Sequence, residues 1–168
     1  VTNLMGINLY ENTGSMGNVV SYGGAVNVGG SSSNIVRCGN EGTIGDITGG
    51  TSVTVYRNTG TIGGLTAQAS SVTIGQSNNS NAELAGYNLN SGMIGSVDAA
   101  TTVAVYSDVA GSVAAAEGQT VKSGTTVTVG TASGPNRNNI GKIEAGSSIT
   151  IYGAEGAAIG DLEANTSV

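Results

Sequence analysis

Apolar and polar residues follow one recurring pattern along the chain: apolar, glycine, any residue, apolar, then a short spacer and apolar, small polar, apolar. Ile44-Gly45-Asp46-Ile47 before Val53-Thr54-Val55 is one copy, and Ile62-Gly63-Gly64-Leu65 before Val72-Thr73-Ile74 is the next. The alternation with period two in the second part predicts a short β-strand with one buried face. Since so short a strand cannot bury that face alone, the copies must stack on one another.

Further copies extend this pattern over most of the chain. They begin at Met16, Ile94, Ile140 and, in a degenerate form with an insertion, Val113. The pattern predicts an all-β fold, a right-handed parallel β-solenoid of about seven rungs at a spacing of roughly 4.8 Å. We expect the apolar-Gly-x-apolar segment to form a second strand, with glycine at the corner. We expect one inward column to contain Val53, Val72, Val103, Val127 and Ile149.

The residue after each of these strands alternates between tyrosine and glycine: Tyr10, Gly29, Tyr56, Gly75, Tyr106, Gly130 and Tyr152. This alternation predicts tandem two-rung repeats of about 46 residues. We expect each glycine to leave room for the tyrosine ring of the neighbouring rung. A β-propeller, whose blades have a comparable length, is the alternative, but its blades do not consist of two similar halves.

The repeats predict one solenoid domain over residues 1–168. Val1 to Ile7 align in phase with Leu162 to Val168, and unpaired edge strands template pairing with another chain. We therefore expect either a segment of a longer solenoid or a subunit that self-associates end to end into fibres. Gln76 to Ser91 and Thr131 to Asn139 are rich in Asn, Ser and Gly, which predicts inserted loops on a variable, binding face.

Composition narrows the function classes. The chain has 29 Gly, no Phe and no Trp, so its core must be thin. A net charge of −6 argues against nucleic acid as a partner. With no His and only Cys38, and with no apolar run long enough to cross a membrane, we expect no catalytic, cofactor-binding or metal-binding residues and no membrane span. Calcium bridging between rungs is the one cofactor alternative.

Two sets of outward residues are candidate sites. A tyrosine edge is available for stacking on sugar rings or on a neighbouring fibre, although these rings equally suit a covered turn. The hydroxyl residues offer a ligand-binding or ice-binding face, although Thr is common in strands for other reasons. The tyrosine edge contains Tyr10, Tyr56, Tyr106 and Tyr152, and the hydroxyl face contains Ser52, Thr54, Ser71, Thr73, Thr126, Thr128, Ser148 and Thr150.

Asp46, Asp98 and Asp161 lie near the apolar-Gly-x-apolar segments and raise the hypothesis of carboxylate pairs, as in β-helical carbohydrate-active enzymes. Such pairs must converge on adjacent rungs, whereas Gly64 and Lys142 occupy positions equivalent to these aspartates. We therefore interpret the three carboxylates as solubilising charges that oppose edge aggregation.

The repeats, for example Ile159-Gly160-Asp161-Leu162 running into Val168, resemble those of filamentous haemagglutinin-like adhesins and autotransporter passengers. The resemblance covers nearly the whole chain, and it implies a right-handed solenoid at a cell surface or outside the cell. We therefore expect a structural extracellular filament or adhesin segment, not an enzyme, that contacts glycans or cell surfaces. The alternatives are an ice-binding or polysaccharide-binding β-helix and, third, a carbohydrate-active enzyme.

Overall fold

The computed structural model describes residues 1–30, 38–75, 90–106, 111–131, 136–153 and 155–168. Every regular element in these residues is a short β-strand. In chain order they are β1 (Thr2–Asn3), β2 (Ile7–Leu9), β3 (Ser15–Met16), β4 (Val19–Ser21), β5 (Val26–Val28), β6 (Thr43–Ile44), β7 (Ile47–Gly49), β8 (Val53–Val55), β9 (Thr61–Ile62), β10 (Leu65–Ala67), β11 (Val72–Gly75), β12 (Met93–Ile94), β13 (Val97–Ala99), β14 (Thr102–Tyr106), β15 (Ser112–Val113), β16 (Thr120–Ser123), β17 (Thr126–Val129), β18 (Asn139–Ile140), β19 (Lys142–Ala145), β20 (Ser148–Ile151) and β21 (Leu162–Ala164).

Within the described residues the strands form three parallel sheets of eight, seven and six strands. The first sheet has the order β1-β4-β7-β10-β13-β16-β19-β21, the second β2-β5-β8-β11-β14-β17-β20, and the third β3-β6-β9-β12-β15-β18. Each turn of the chain, here called a rung, contributes one strand to each sheet in the same sequence. This architecture confirms the predicted parallel β-solenoid.

The core is a set of vertical columns of aliphatic side chains. In the second sheet, Val53 pairs with Val72 and Val72 with Val103, and each of these side chains is at most 1% exposed. The predicted inward column is therefore confirmed. It continues through Val127 to Ile149, and a parallel column contains Val55, Ile74, Val105, Val129 and the less buried Ile151.

The corner between the first and second sheets is narrow, because the inward positions there hold only small residues. These positions are paired from rung to rung and hold Ser21, Gly49, Ala67, Ala99, Ser123, Ala145 and Ala164. Small side chains let the two sheets approach closely at this corner. The thin core expected from the lack of Phe and Trp follows from the same restriction.

The apolar-Gly-x-apolar segment does not form a single strand, so that part of the sequence-based expectation was wrong. Ile62 ends β9 in the third sheet, whereas Leu65 begins β10 in the first sheet. Both side chains point inward and are 1% exposed. The segment is a corner, since its two apolar residues are anchored in different sheets with glycine between them.

Gly29, Gly75 and Gly130, which alternate with the tyrosines, have left-handed backbone conformations with φ of 83°, 77° and 75°. A Cβ added to Gly29 would lie 2.7 Å from the carbonyl oxygen of Cys38 and 3.4 Å from Cβ of Tyr56. The backbone conformation and the close approach of a backbone carbonyl therefore require glycine. Room for the tyrosine ring is at most a secondary reason.

Val103→Asp should abolish cooperative folding, because it places an unpaired carboxylate in the dry column and costs about 4 kcal/mol or more. Thr102→Asp is the matched control, since Thr102 precedes it in β14 and is partly exposed. Thermal unfolding followed by circular dichroism checks both variants. Equal tolerance at the two positions would contradict the assignment of inward and outward faces.

Gly29→Ala should lower the free energy of unfolding by about 1–2 kcal/mol from the left-handed backbone alone, with the contact to Cys38 adding to this. Gly17→Ala is the control, because its added Cβ would have no atom within 4 Å. We expect the control to change stability by less than about 0.5 kcal/mol in urea titrations. A neutral Gly29→Ala variant would show that this corner tolerates side chains.

Candidate functional site

The outward surface of the second sheet brings both predicted sets of site residues onto one face, which we call the hydroxyl–tyrosine face. It has three columns that run along the solenoid axis. The first contains Ser52, Ser71, Thr102, Thr126 and Ser148; the second contains Asn8, Asn27, Thr54, Thr73, Ala104, Thr128 and Thr150; the third contains Tyr10, Gly29, Tyr56, Gly75, Tyr106, Gly130 and Tyr152.

The ladder of backbone hydrogen bonds includes the tyrosine column. The N–H of Tyr56 donates to the carbonyl oxygen of Val28 at 2.8 Å, and the N–H of Tyr152 donates to that of Val129 at 2.9 Å. Gly29 and Gly130 donate in the same way to Leu9 and Val105. The tyrosines therefore occupy equivalent backbone positions on alternate rungs.

Alternate rungs place successive tyrosines about 9.6 Å apart, which is twice the spacing of neighbouring strands. Tyr10 and Tyr152 are 51% and 54% exposed, and Tyr56 and Tyr106 are partly exposed. The glycines between them have no side chain. Among the described residues, the third column therefore alternates tyrosine rings with glycines, one rung apart.

The hydroxyl columns are regular but interrupted. Thr54 pairs directly with Thr73, and Thr128 with Thr150, while Ala104 separates the two pairs. At the first two rungs the second column holds Asn8 and Asn27, whose amides hydrogen-bond to each other at 2.9 Å. The face is therefore polar along its length without being a uniform threonine array.

The charges lie elsewhere on the solenoid. No strand of the second sheet, over its described length, contains Asp, Glu, Lys or Arg. The first sheet instead has an outward column in which Asp98, Lys122, Glu144 and Glu163 follow one another. The strands of the second sheet are thus neutral, whereas the first sheet is charged. Glu11 and Arg57 follow Tyr10 and Tyr56 at the edge of the hydroxyl–tyrosine face, and Arg57 pairs with Glu41.

Lys142 forms ion pairs with two carboxylates of the first sheet. Its Nζ contacts Glu144 Oε1 at 2.8 Å and Glu163 Oε2 at 2.9 Å. The hydrogen bonds with Glu144 and Glu163 raise the pKa of Lys142, and the one with Lys142 lowers the pKa of Glu144. This pairing offsets the repulsion between the two carboxylates, which are directly opposite each other.

A buried asparagine ladder supports the corner that follows the tyrosine column, and the sequence analysis missed it. Each side-chain Nδ2 donates to the Oδ1 of the next asparagine at 2.8 Å. All members are at most 9% exposed. In order they are Asn12, Asn40, Asn58, Asn90 and Asn138.

The ladder also ties down the backbone around it. Nδ2 of Asn40 donates to the carbonyl oxygens of Gly42 at 3.1 Å and Thr61 at 3.1 Å, in addition to Asn58. Asn58 lies two residues after Tyr56, as Asn12 does after Tyr10. The buried amides therefore fix the corner from which the tyrosine row projects.

The sequence did contain a signal for the ladder. Asn12, Asn40, Asn58 and Asn90 each lie four residues before the first apolar residue of the repeated pattern. Asn136 holds the same position, and its Oδ1 accepts the backbone N–H of Asn138 at 3.1 Å. The recurrence was obscured because asparagine is frequent throughout the chain.

Two of these asparagines fall in the segments predicted to be inserted loops. Asn90 and Asn138 are 0% exposed, so the C-terminal ends of both segments belong to rung corners. This part of the loop prediction was wrong, because the amides of these buried asparagines form their hydrogen bonds within the ladder. Most of the first segment, residues 76–89, and residues 132–135 of the second lie outside the described residues.

The three candidate aspartates do not converge. Asp46 precedes β7, the third strand of the first sheet, Asp161 precedes β21, its last strand, and Asp98 lies within β13 in a different column. Asp46 Oδ1 accepts the backbone N–H of Gly64 at 2.7 Å. The described residues contain no group of three or more Asp, Glu or Cys side chains that could hold a metal ion.

A groove lies at the corner between the third and first sheets, beside the insertion that follows Val113. Its floor includes Gly63 and Gly95, and Ala116 and Gln119 of the insertion form one wall. The insertion begins at Ala114, which is buried and has a left-handed φ of 50°. The lining of the groove combines glycine backbone with a few scattered polar groups.

Comparison with known proteins assigns no family. No family model, no curated protein and no solved structure matches the chain. Among the described residues no helix is long and apolar enough to cross a membrane. Functional inference for this chain therefore depends on the geometry of its own residues.

Asn58→Ala should lower the free energy of unfolding by about 2–4 kcal/mol, because Asn40 loses an acceptor and Asn90 loses a donor in a buried site. Thr61→Ala is the control, since its side chain is exposed and only its backbone carbonyl contacts the ladder. Chemical denaturation of both variants measures the difference. Equal stabilities would show that the ladder contributes little.

Proposed function

We propose that this chain is a segment of a non-catalytic structural solenoid, an extracellular filament or adhesin at a cell surface. The observation that carries the proposal is the uniform rung, repeated in register in three sheets. A set of three sheets that repeats in the same order along the axis suits a rod or stalk. The scarcity of charge and cysteine and the resemblance to secreted surface proteins support the extracellular location.

The edges of the sheets support growth along the axis. Among the described strands, β1 and β21 each pair on one side only. Apolar side chains are exposed near these edges, with Leu4 76%, Met5 75% and Val168 71% exposed. Open strand edges with apolar flanks favour continuation of the ladder, and we propose end-to-end association with other copies as its means.

The hydroxyl–tyrosine face supports a second candidate function, the binding of ice or polysaccharide. Its flat, neutral hydroxyl columns favour this class. Asn8, Asn27 and Ala104 interrupt the threonine array, and the protruding tyrosines break its flatness. Polysaccharide is therefore better supported than ice. A carbohydrate-active enzyme stays third, since no two of Asp46, Asp98 and Asp161 lie on adjacent strands of the first sheet.

The edge strand β1 offers a specific test of axial association. The carbonyl oxygens of Val1 and Asn3 accept hydrogen bonds from Val20 and Tyr22. Since alternate residues of a strand direct their backbone groups to opposite neighbours, Thr2 directs its N–H to the open side. Thr2→Pro removes that donor and leaves the bonds to β4 in place, as proline at a strand edge allows.

We expect the unmodified chain to form rods at high concentration in electron micrographs, with a layer spacing of about 4.8 Å. Thr2→Pro should remain folded by circular dichroism but form at least tenfold fewer rods. Thr2→Val, which retains the N–H, should form them normally. Persistent monomers of the unmodified chain, or equal assembly of both variants, would count against axial association.

A further inference from the structure

We propose that the hydroxyl–tyrosine face binds one extended, neutral β-1,4-linked polysaccharide chain that runs along the solenoid axis, with tyrosine rings stacked on alternate sugar units. This inference rests on the adhesive part of the proposed function and names its ligand. Axial assembly does not depend on it. The spacing of the rings, the hydroxyl groups beside them and the lack of charged residues in the second-sheet strands support it.

The tyrosine rings recur at a regular spacing along the axis. Tyr10, Tyr56, Tyr106 and Tyr152 recur every second rung, at about 9.6 Å. In an extended β-1,4-linked chain, alternate sugar units present the same face, so one face recurs every two units. A two-rung spacing is close to the length of such a disaccharide. Gly75 and Gly130, which have no side chain, then correspond to the sugar units that face the other way.

Tyrosine is suited to this contact because its ring has a large apolar face and its hydroxyl remains in water. Tyr10 and Tyr152 are more than half exposed, and Tyr56 and Tyr106 project from the same column. Tyr106 ends β14, and the other three directly follow β2, β8 and β20 of the same sheet. A regularly spaced row held by a β-sheet limits the conformational entropy that is lost on binding.

The hydroxyl columns supply the polar contacts that a sugar requires. Hydroxyl groups both donate and accept hydrogen bonds, as sugar hydroxyls do. No described residue hydrogen-bonds to the side-chain hydroxyls of Thr54, Thr73 and Thr128. These groups are therefore available to a ligand that lies across the tyrosine row.

The neutrality of the face selects the class of polysaccharide. The strands of the second sheet have no charged residue over their described length, and the chain as a whole has a net charge of −6. An anionic polysaccharide would find no cation in these strands, since Arg57 beside Tyr56 already pairs with Glu41 at 2.8 Å, and it would be repelled by the chain as a whole. A neutral polysaccharide needs no cation on this face and is not repelled by the net charge of the protein.

The regular register of the row selects the linkage. The columns follow the axis from rung to rung, because each strand pairs with the next without a shift in register. An extended β-1,4-linked chain keeps its rings in phase with such a row over several units. A coiled α-1,4-linked chain does not, so starch serves as the matched negative ligand.

The test is sedimentation of the protein with microcrystalline cellulose, and with granular starch as the control polysaccharide. Tyr56→Ala combined with Tyr106→Ala should weaken binding to cellulose at least tenfold. Tyr22→Ala is the matched control, because Tyr22 is 62% exposed but lies in the turn between β4 and β5, before a strand of the second sheet, whereas the four tyrosines end or directly follow such strands. The double Tyr→Phe variant should retain binding, since stacking needs the ring. Circular dichroism confirms that each variant is folded.

Loss of binding in the double alanine variant alone would support the proposal. Equal binding of all variants, equal binding to starch, or no binding of the unmodified protein to cellulose would overturn it. Adsorption to growing ice without adsorption to cellulose would also overturn it and favour the ice-binding candidate. Rod formation is scored separately, so failure of this inference is distinguishable from failure of the structural role.

Discussion

The in-register parallel backbone ladder is the constraint on which the rest of this structure depends. Because each residue lies about 4.8 Å from its equivalent in the next rung, every position of the repeat becomes a column. A column can hold only residues that pack well against copies of themselves. Val53, Val72 and Val103 satisfy this requirement in the core, and small residues such as Ala67 and Ala99 satisfy it at the narrow corner.

The same constraint explains the polar interior. A buried polar side chain that repeats in a column must offer a hydrogen-bond donor to one neighbour and an acceptor to the other. Asparagine does so because its amide has both a donor and an acceptor, so Asn40 accepts from Asn12 and donates to Asn58. At Gly29 the backbone sets the restriction, because its left-handed conformation disfavours any residue with a side chain. Buried amides and glycines together shape the corner beside the tyrosine row.

The ladder also separates the surfaces by chemistry. Outward residues of the first sheet form a charged column, in which Lys142 bridges Glu144 and Glu163. Outward residues of the second sheet form a neutral face of hydroxyls and rings. One cross-section can therefore combine a solubilising side with a side suited to a neutral ligand. This division is one basis of the proposed adhesive role.

The periodic pattern by itself determined the parallel solenoid, the inward columns and the alternation of Tyr with Gly, because these depend on spacing along the chain. It also identified the residues of both candidate faces. Only the tertiary structure showed that Thr54 and Tyr56 belong to one face, that Ile62 and Leu65 anchor different sheets, and that Asn58 is buried. These features depend on where the chain turns its corners. A corner is set by φ at a few residues and by contacts between rungs 18 to 48 residues apart, which local sequence does not encode.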